Sequence, residues 1–101
     1  MNSSSHWTVP RDHPAFAGHF PGTPILPGVA LLDTVLHTIA AATGIALESC
    51  EIRSVKFLSP AGPGDELEIR HSLSAGGAIG FDVVTGRRVI ASGSIVPGAP
   101  L

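Results

Sequence analysis

His19 and Asp33 are the residues of this 101-residue chain whose types and spacing best suit proton transfer. An imidazole titrates near neutrality and works as base or acid at pH 7. A carboxyl group inside an apolar helix must be paired, protonated or functional, because burying an unpartnered charge costs on the order of several kcal/mol. His19 stands in the run Gly18-His19-Phe20-Pro21-Gly22-Thr23-Pro24-Ile25-Leu26-Pro27-Gly28, and Asp33 follows after four apolar residues, fourteen positions beyond the histidine. His37 lies one helical turn after Asp33 on the same face. It either hydrogen-bonds Asp33 and tunes its proton affinity or is a satisfied polar residue of the core. A metal site would have to recruit His13 and His19 with His6, His37 or Cys50. No zinc-ligand spacing occurs, and the prolines between the histidines disfavour it. The glycines form no phosphate loop, so neither metal nor cofactor is expected.

The elements that must position this pair can be read from breakers and periodicity. Residues 10–28 hold five prolines and three glycines, too many for a regular element, yet Phe16, Phe20, Ile25 and Leu26 anchor the stretch as an ordered loop. A helix is expected over residues 27–43, with proline in its first turn and Gly44 closing it. Its residues are apolar almost all round, so protein should surround it, and Asp33 should lie inside the domain or at a subunit interface. Residues 1–5 read as a frayed, disordered terminus and 6–9 as a short strand. Residues 51–58 alternate as a strand. Leu67, Ile69, His71 and Leu73 share one face of the next; a turn at residues 75–77 follows, then strands over 79–84 and 89–96 joined at 85–87. One buried helix with antiparallel strands makes an α+β domain whose sheet wraps the helix.

Composition bounds the function classes. With 44% hydrophobic residues the chain can form one compact domain over residues 1–101. A net charge of −2 and 14% charged residues leave no basic surplus for nucleic acid. Residues 25–47 are apolar enough to suggest a membrane span, but Asp33 and His37 in the middle and Pro27, Gly28 and Gly44 near the ends argue against one. The lone Cys50 cannot form an internal disulfide, and residues 1–5 lack the features of a signal peptide, so a cytoplasmic protein is expected.

The motif resembles the bacterial 3-hydroxyacyl-acyl carrier protein dehydratases of the FabA/FabZ type. The resemblance rests on Gly18 to Gly22, Pro24, Pro27-Gly28 and Asp33, and continues through Val55-Lys56-Phe57, Pro60 and Pro63-Gly64-Asp65. It implies a hot-dog fold, and a dimer in which the histidine of one subunit faces the acid of the other. The implied reaction is reversible removal of water from a 3-hydroxyacyl thioester on acyl carrier protein, with His19 as base and Asp33 as acid. The Gly28 amide would hydrogen-bond the thioester oxygen. Phe16, Phe20, Val29 and Leu32 would wall the acyl chain, though ordinary core packing explains them as well.

Three departures qualify the resemblance. Asp33 stands where one branch has glutamate, and one methylene does not establish double-bond isomerisation. His37 stands where the family usually has glutamine. The chain is also short, which suggests a compact accessory dehydratase of a fatty-acid, polyene-lipid or polyketide-like pathway. Partners would be acyl carrier protein and a second subunit, as a homodimer (or a trimer of such dimers) or as a heterodimer with a related hot-dog subunit. Arg87 and Arg88 are candidates for docking the carrier protein, and protection of strand edges accounts for them equally in kind. Thioester hydrolysis and a subunit active only with a homologous partner remain alternatives.

Overall fold

The computed structural model describes residues 2–16 and 25–98. Among these, the order is strand β1 (Asn2–Thr8), a short 3-10 turn (Pro14–Phe16), helix α1 (Gly28–Thr43), then strands β2 (Glu51–Phe57), β3 (Glu66–Leu73), β4 (Ile79–Thr85) and β5 (Arg88–Val96). All pairings are antiparallel and the strands lie in the order β1-β3-β4-β5-β2, so β1 and β2 form the two edges. This is the expected α+β hot-dog architecture.

The helix ends where its local chemistry dictates. Pro27 precedes it with extended backbone (ψ 147), and Gly44 closes it at φ 75 while donating its N–H to the Ala40 carbonyl. Leu31, Val35 and Ile39, four residues apart, form the stripe buried against the sheet. Facing them are Leu67 and Ile69 of β3, Ile79, Phe81 and Val83 of β4, and Ala91 and Ile95 of β5, all buried. Expected and observed strand bounds agree for β2 to β5 within a residue or two.

Two expectations are corrected. Residues 2–5 are not a disordered terminus: they belong to β1, which pairs with β3 from Asn2 opposite Ser72 to Thr8 opposite Glu66. Serines supply no apolar alternation, but the strand is held by its backbone ladder, which hydrophobic periodicity does not register. The helix, in turn, is not enclosed by the described residues. The sheet covers one side of it, and on the other Val29 is 83% exposed and Ala41 and Ala42 are exposed.

Candidate active site

Asp33 and His37 sit on the uncovered side of α1, because Leu31, Val35 and Ile39 take the side that meets the sheet. Their side chains are 70% and 78% exposed. Asp33 is therefore not buried by the described residues, which leaves the subunit interface as the place where the desolvation argument would hold; an apolar sequence does not say which flank the sheet covers. His37 is likewise no core residue. Its Nδ1–H donates to the Asp33 carbonyl at 2.8 Å, and the same nitrogen lies 3.5 Å from Asp33 Oδ1. That bond fixes the tautomer of the neutral ring, leaving Nε2 as the accepting nitrogen. Asp33 and His37 form the ridge between two depressions. One is bounded by Leu36, Ala40, Ala46, Leu47 and Glu48, the other by Ser5, Trp7, Thr34 and Thr38.

The start of α1 is a second polar feature. Leu31 N–H makes the first helical bond, to the Pro27 carbonyl, so the amides of residues 28–30 lack intrahelical acceptors. Pro27 offers no side-chain cap and the first turn holds no acid. This uncapped, positive helix end opens on an apolar cleft lined by Ile25, Leu26, Leu31, Phe57, Leu58 and Ile90. A Cβ on Gly28 would come within 2.9 Å of the Phe57 ring, so a side chain here would have to displace that ring. Sequence reasoning missed this cleft. Its signal was the apolar Phe57-Leu58 pair at the end of a strand, followed by the turn at residues 60–64.

The remaining candidates are dispersed. Phe16 and Leu32 are partly buried and packed on the core, and Phe16 meets His13 edge to face. Val29 projects outward, and His19 and Phe20 lie outside the described residues. Arg87 lies in the β4–β5 turn and Arg88 opens β5, both exposed; Arg88 Nη2 is 3.8 Å from Asp65 Oδ2. Asp65 also accepts the Gly62 N–H at 2.8 Å, and Ser59 Oγ donates to the Val89 carbonyl, so this turn and the 58–65 loop are tied together beside the cleft. On β3, Arg70 hydrogen-bonds the partly buried Glu68 and holds its carboxyl below the usual range. His71 on the same strand is buried, and its Nε2 has no hydrogen-bond partner among the described residues.

Comparison with known proteins bears on this arrangement. Residues 2–94 match the family model of ApeI-like proteins, described as ApeI dehydratase. The chain is 34% identical over 100 residues to the 3-hydroxyacyl-[acyl-carrier-protein] dehydratase FabZ of Chlamydia trachomatis serovar L2, a match covering 86% of this chain and 65% of that protein. Against the FabZ of Jannaschia sp. the match covers 48% of the relative, so the chain spans about half to two thirds of the length of these proteins. Among solved structures it is similar to the dehydratase heterocomplex ApeI:P from Xenorhabdus doucetiae, with a TM-score of 0.77 and 28% identity over 94% of this chain and 85% of the other. The dehydratase domain of the polyketide PpsC from Mycobacterium tuberculosis shares the fold at a TM-score of 0.79, with 16% identity over 99% of this chain and 40% of that one. No helix among the described residues is long and apolar enough to cross a membrane.

Proposed function

Because this chain belongs to the ApeI-like dehydratase family, we propose that it removes water from a 3-hydroxyacyl group carried as a thioester on acyl carrier protein, giving the trans-2-enoyl thioester. The observation that carries the reading is Asp33 standing on the open side of α1, within two turns of an uncapped helix start that faces an apolar cleft. In this reaction His19 takes the C2 proton, and the electron pair of that bond forms the C2–C3 double bond. The C3–O bond breaks, and the departing hydroxide takes the proton of the Asp33 carboxyl group to leave as water. The Gly28 amide donates to the thioester oxygen while negative charge collects there. His37 restrains the Asp33 backbone and so orients the carboxyl.

The exposed Asp33 suits a site completed by a second hot-dog subunit, the histidine of one facing the acid of the other. The acyl chain enters the cleft of Ile25, Leu26, Phe57 and Leu58, and Arg87 and Arg88, at the turn beside that cleft, dock the acidic carrier protein. The setting is the cytoplasm, in fatty-acid or polyketide-like biosynthesis. The test is incubation of the purified protein with 3-hydroxyacyl-carrier-protein substrates while enoyl formation is followed. Wild type is expected to form product, and His19→Ala and Asp33→Asn to lose at least about 100-fold. Equal rates in all three would overturn the assignment.

A further inference from the structure

Residues 10–25, among them His19, are bounded by two buried residues, Val9 and Leu26, and one turn of the chain holds both. Val9 donates its N–H to the Asp65 carbonyl at 2.9 Å and accepts the Gly64 N–H at 2.8 Å. Leu26 donates to the Ala61 carbonyl at 2.7 Å. The turn closes through its own backbone. Pro63 and Gly64, the latter at φ 83, suit its two central positions, and the Asp65 N–H bonds the Gly62 carbonyl at 3.1 Å.

The Asp65 side chain adds a bond that the turn does not require. Its Oδ2 accepts the Gly62 N–H at 2.8 Å, and that N–H belongs to the same planar peptide as the Ala61 carbonyl on which Leu26 rests. A peptide held by a carboxylate at its N–H cannot turn its oxygen away from Leu26 without breaking that bond. The carboxylate also polarises the peptide, which makes its oxygen a better acceptor. The ion pair with Arg88, 3.8 Å long and half exposed on the arginine side, contributes little to this. Two residues after Leu26 comes Gly28, whose amide opens α1 and is the proposed donor to the thioester oxygen.

We propose that Asp65 is a positioning residue for dehydration. Through the Ala61–Gly62 peptide it fixes Leu26, and with Leu26 the amide of Gly28 and the end of the segment that bears His19. It touches no substrate. Placement matters because shifting a reacting or stabilising group by about 1 Å costs a reaction up to about 100-fold. An asparagine accepts the Gly62 N–H through its side-chain oxygen, whereas alanine offers no acceptor. Neither substitution removes a backbone bond of the turn. The role rests on the proposed dehydration for its meaning, but the bond it acts through is measured without substrate.

Amide hydrogen exchange followed by NMR, together with steady-state kinetics on a 3-hydroxyacyl-carrier-protein substrate, tests this in Asp65→Ala and Asp65→Asn. In Asp65→Ala the Leu26 amide is expected to exchange at least about tenfold faster than in wild type while the amides of β3 keep their rates. Its kcat should fall about tenfold with KM within about twofold. Asp65→Asn should bring both readings back to within about threefold of wild type. Asp65→Ser, which keeps a short polar side chain, replaces the alanine variant if that one does not fold, with a loss between the other two. Unchanged Leu26 protection in Asp65→Ala would overturn the proposal. So would β3 amides that lose protection in step with Leu26, or an asparagine variant as impaired as alanine. Wild type without dehydratase activity but with this exchange pattern would sink the proposed function and leave the tie between Asp65 and Leu26 intact.

Discussion

His71 and Gly28 show how differently single residues bear on the account. The His71 ring is buried with Nε2 unpartnered, an arrangement that costs about 1 to 3 kcal/mol. Replacement by an apolar side chain of similar size should therefore stabilise the fold: His71→Leu is expected to raise the unfolding free energy by about 1 kcal/mol in urea titrations, with activity retained. A destabilised His71→Leu protein would show that the imidazole has a partner in solution. At Gly28 the neighbour is the Phe57 ring, itself half exposed and able to swing. Gly28→Ala should hence change stability by under about 1 kcal/mol, yet lower the dehydration rate about tenfold by displacing the ring from the acyl cleft and crowding the amide. Unchanged turnover in Gly28→Ala would place the acyl group elsewhere. Asp33 stands out in the sequence by its spacing to His19. Its exposure does not, because an apolar helix looks the same whether its second flank is covered by its own sheet or by a neighbour.

Among the elements, α1 and strands β3 to β5 were legible because their periods are simple and glycines or prolines mark their ends. β1 was not, since a run of serines carries no apolar alternation and depends on β3 for its ladder. β2 was legible as a strand but not as a bulged one. Gly93 of β5 lies under this irregularity: a Cβ there would meet the Ser54 carbonyl oxygen and stand 2.7 Å from Cζ of Phe81. Backbone on one side and a buried ring on the other leave little room to adjust, so Gly93→Ala is expected to cost about 2 to 3 kcal/mol. Gly80 of the neighbouring strand has open space above it, and Gly80→Ala should be neutral or slightly stabilising, within about 0.5 kcal/mol. Chemical denaturation of the two variants side by side checks the contrast, and equal losses would contradict the placement of the bulge.

At the scale of the whole molecule, one chain presents an acid and an uncapped helix start on a side that its own sheet leaves open. These features belong together if each of two subunits supplies half of the other's site. A two-subunit site was implied by the resemblance, whereas the open side of α1 could not be read before the sheet was placed on its other side. The most direct test mixes two inactive proteins, His19→Ala and Asp33→Asn, and follows enoyl formation from a 3-hydroxyacyl-carrier-protein substrate. Half of the dimers in an equal mixture pair one variant with the other, and each of these holds one intact site of two. The mixture is therefore expected to recover about a quarter of wild-type activity, while each variant alone stays near background. Mixed dimers that form but recover no activity would contradict a site shared between copies of this chain.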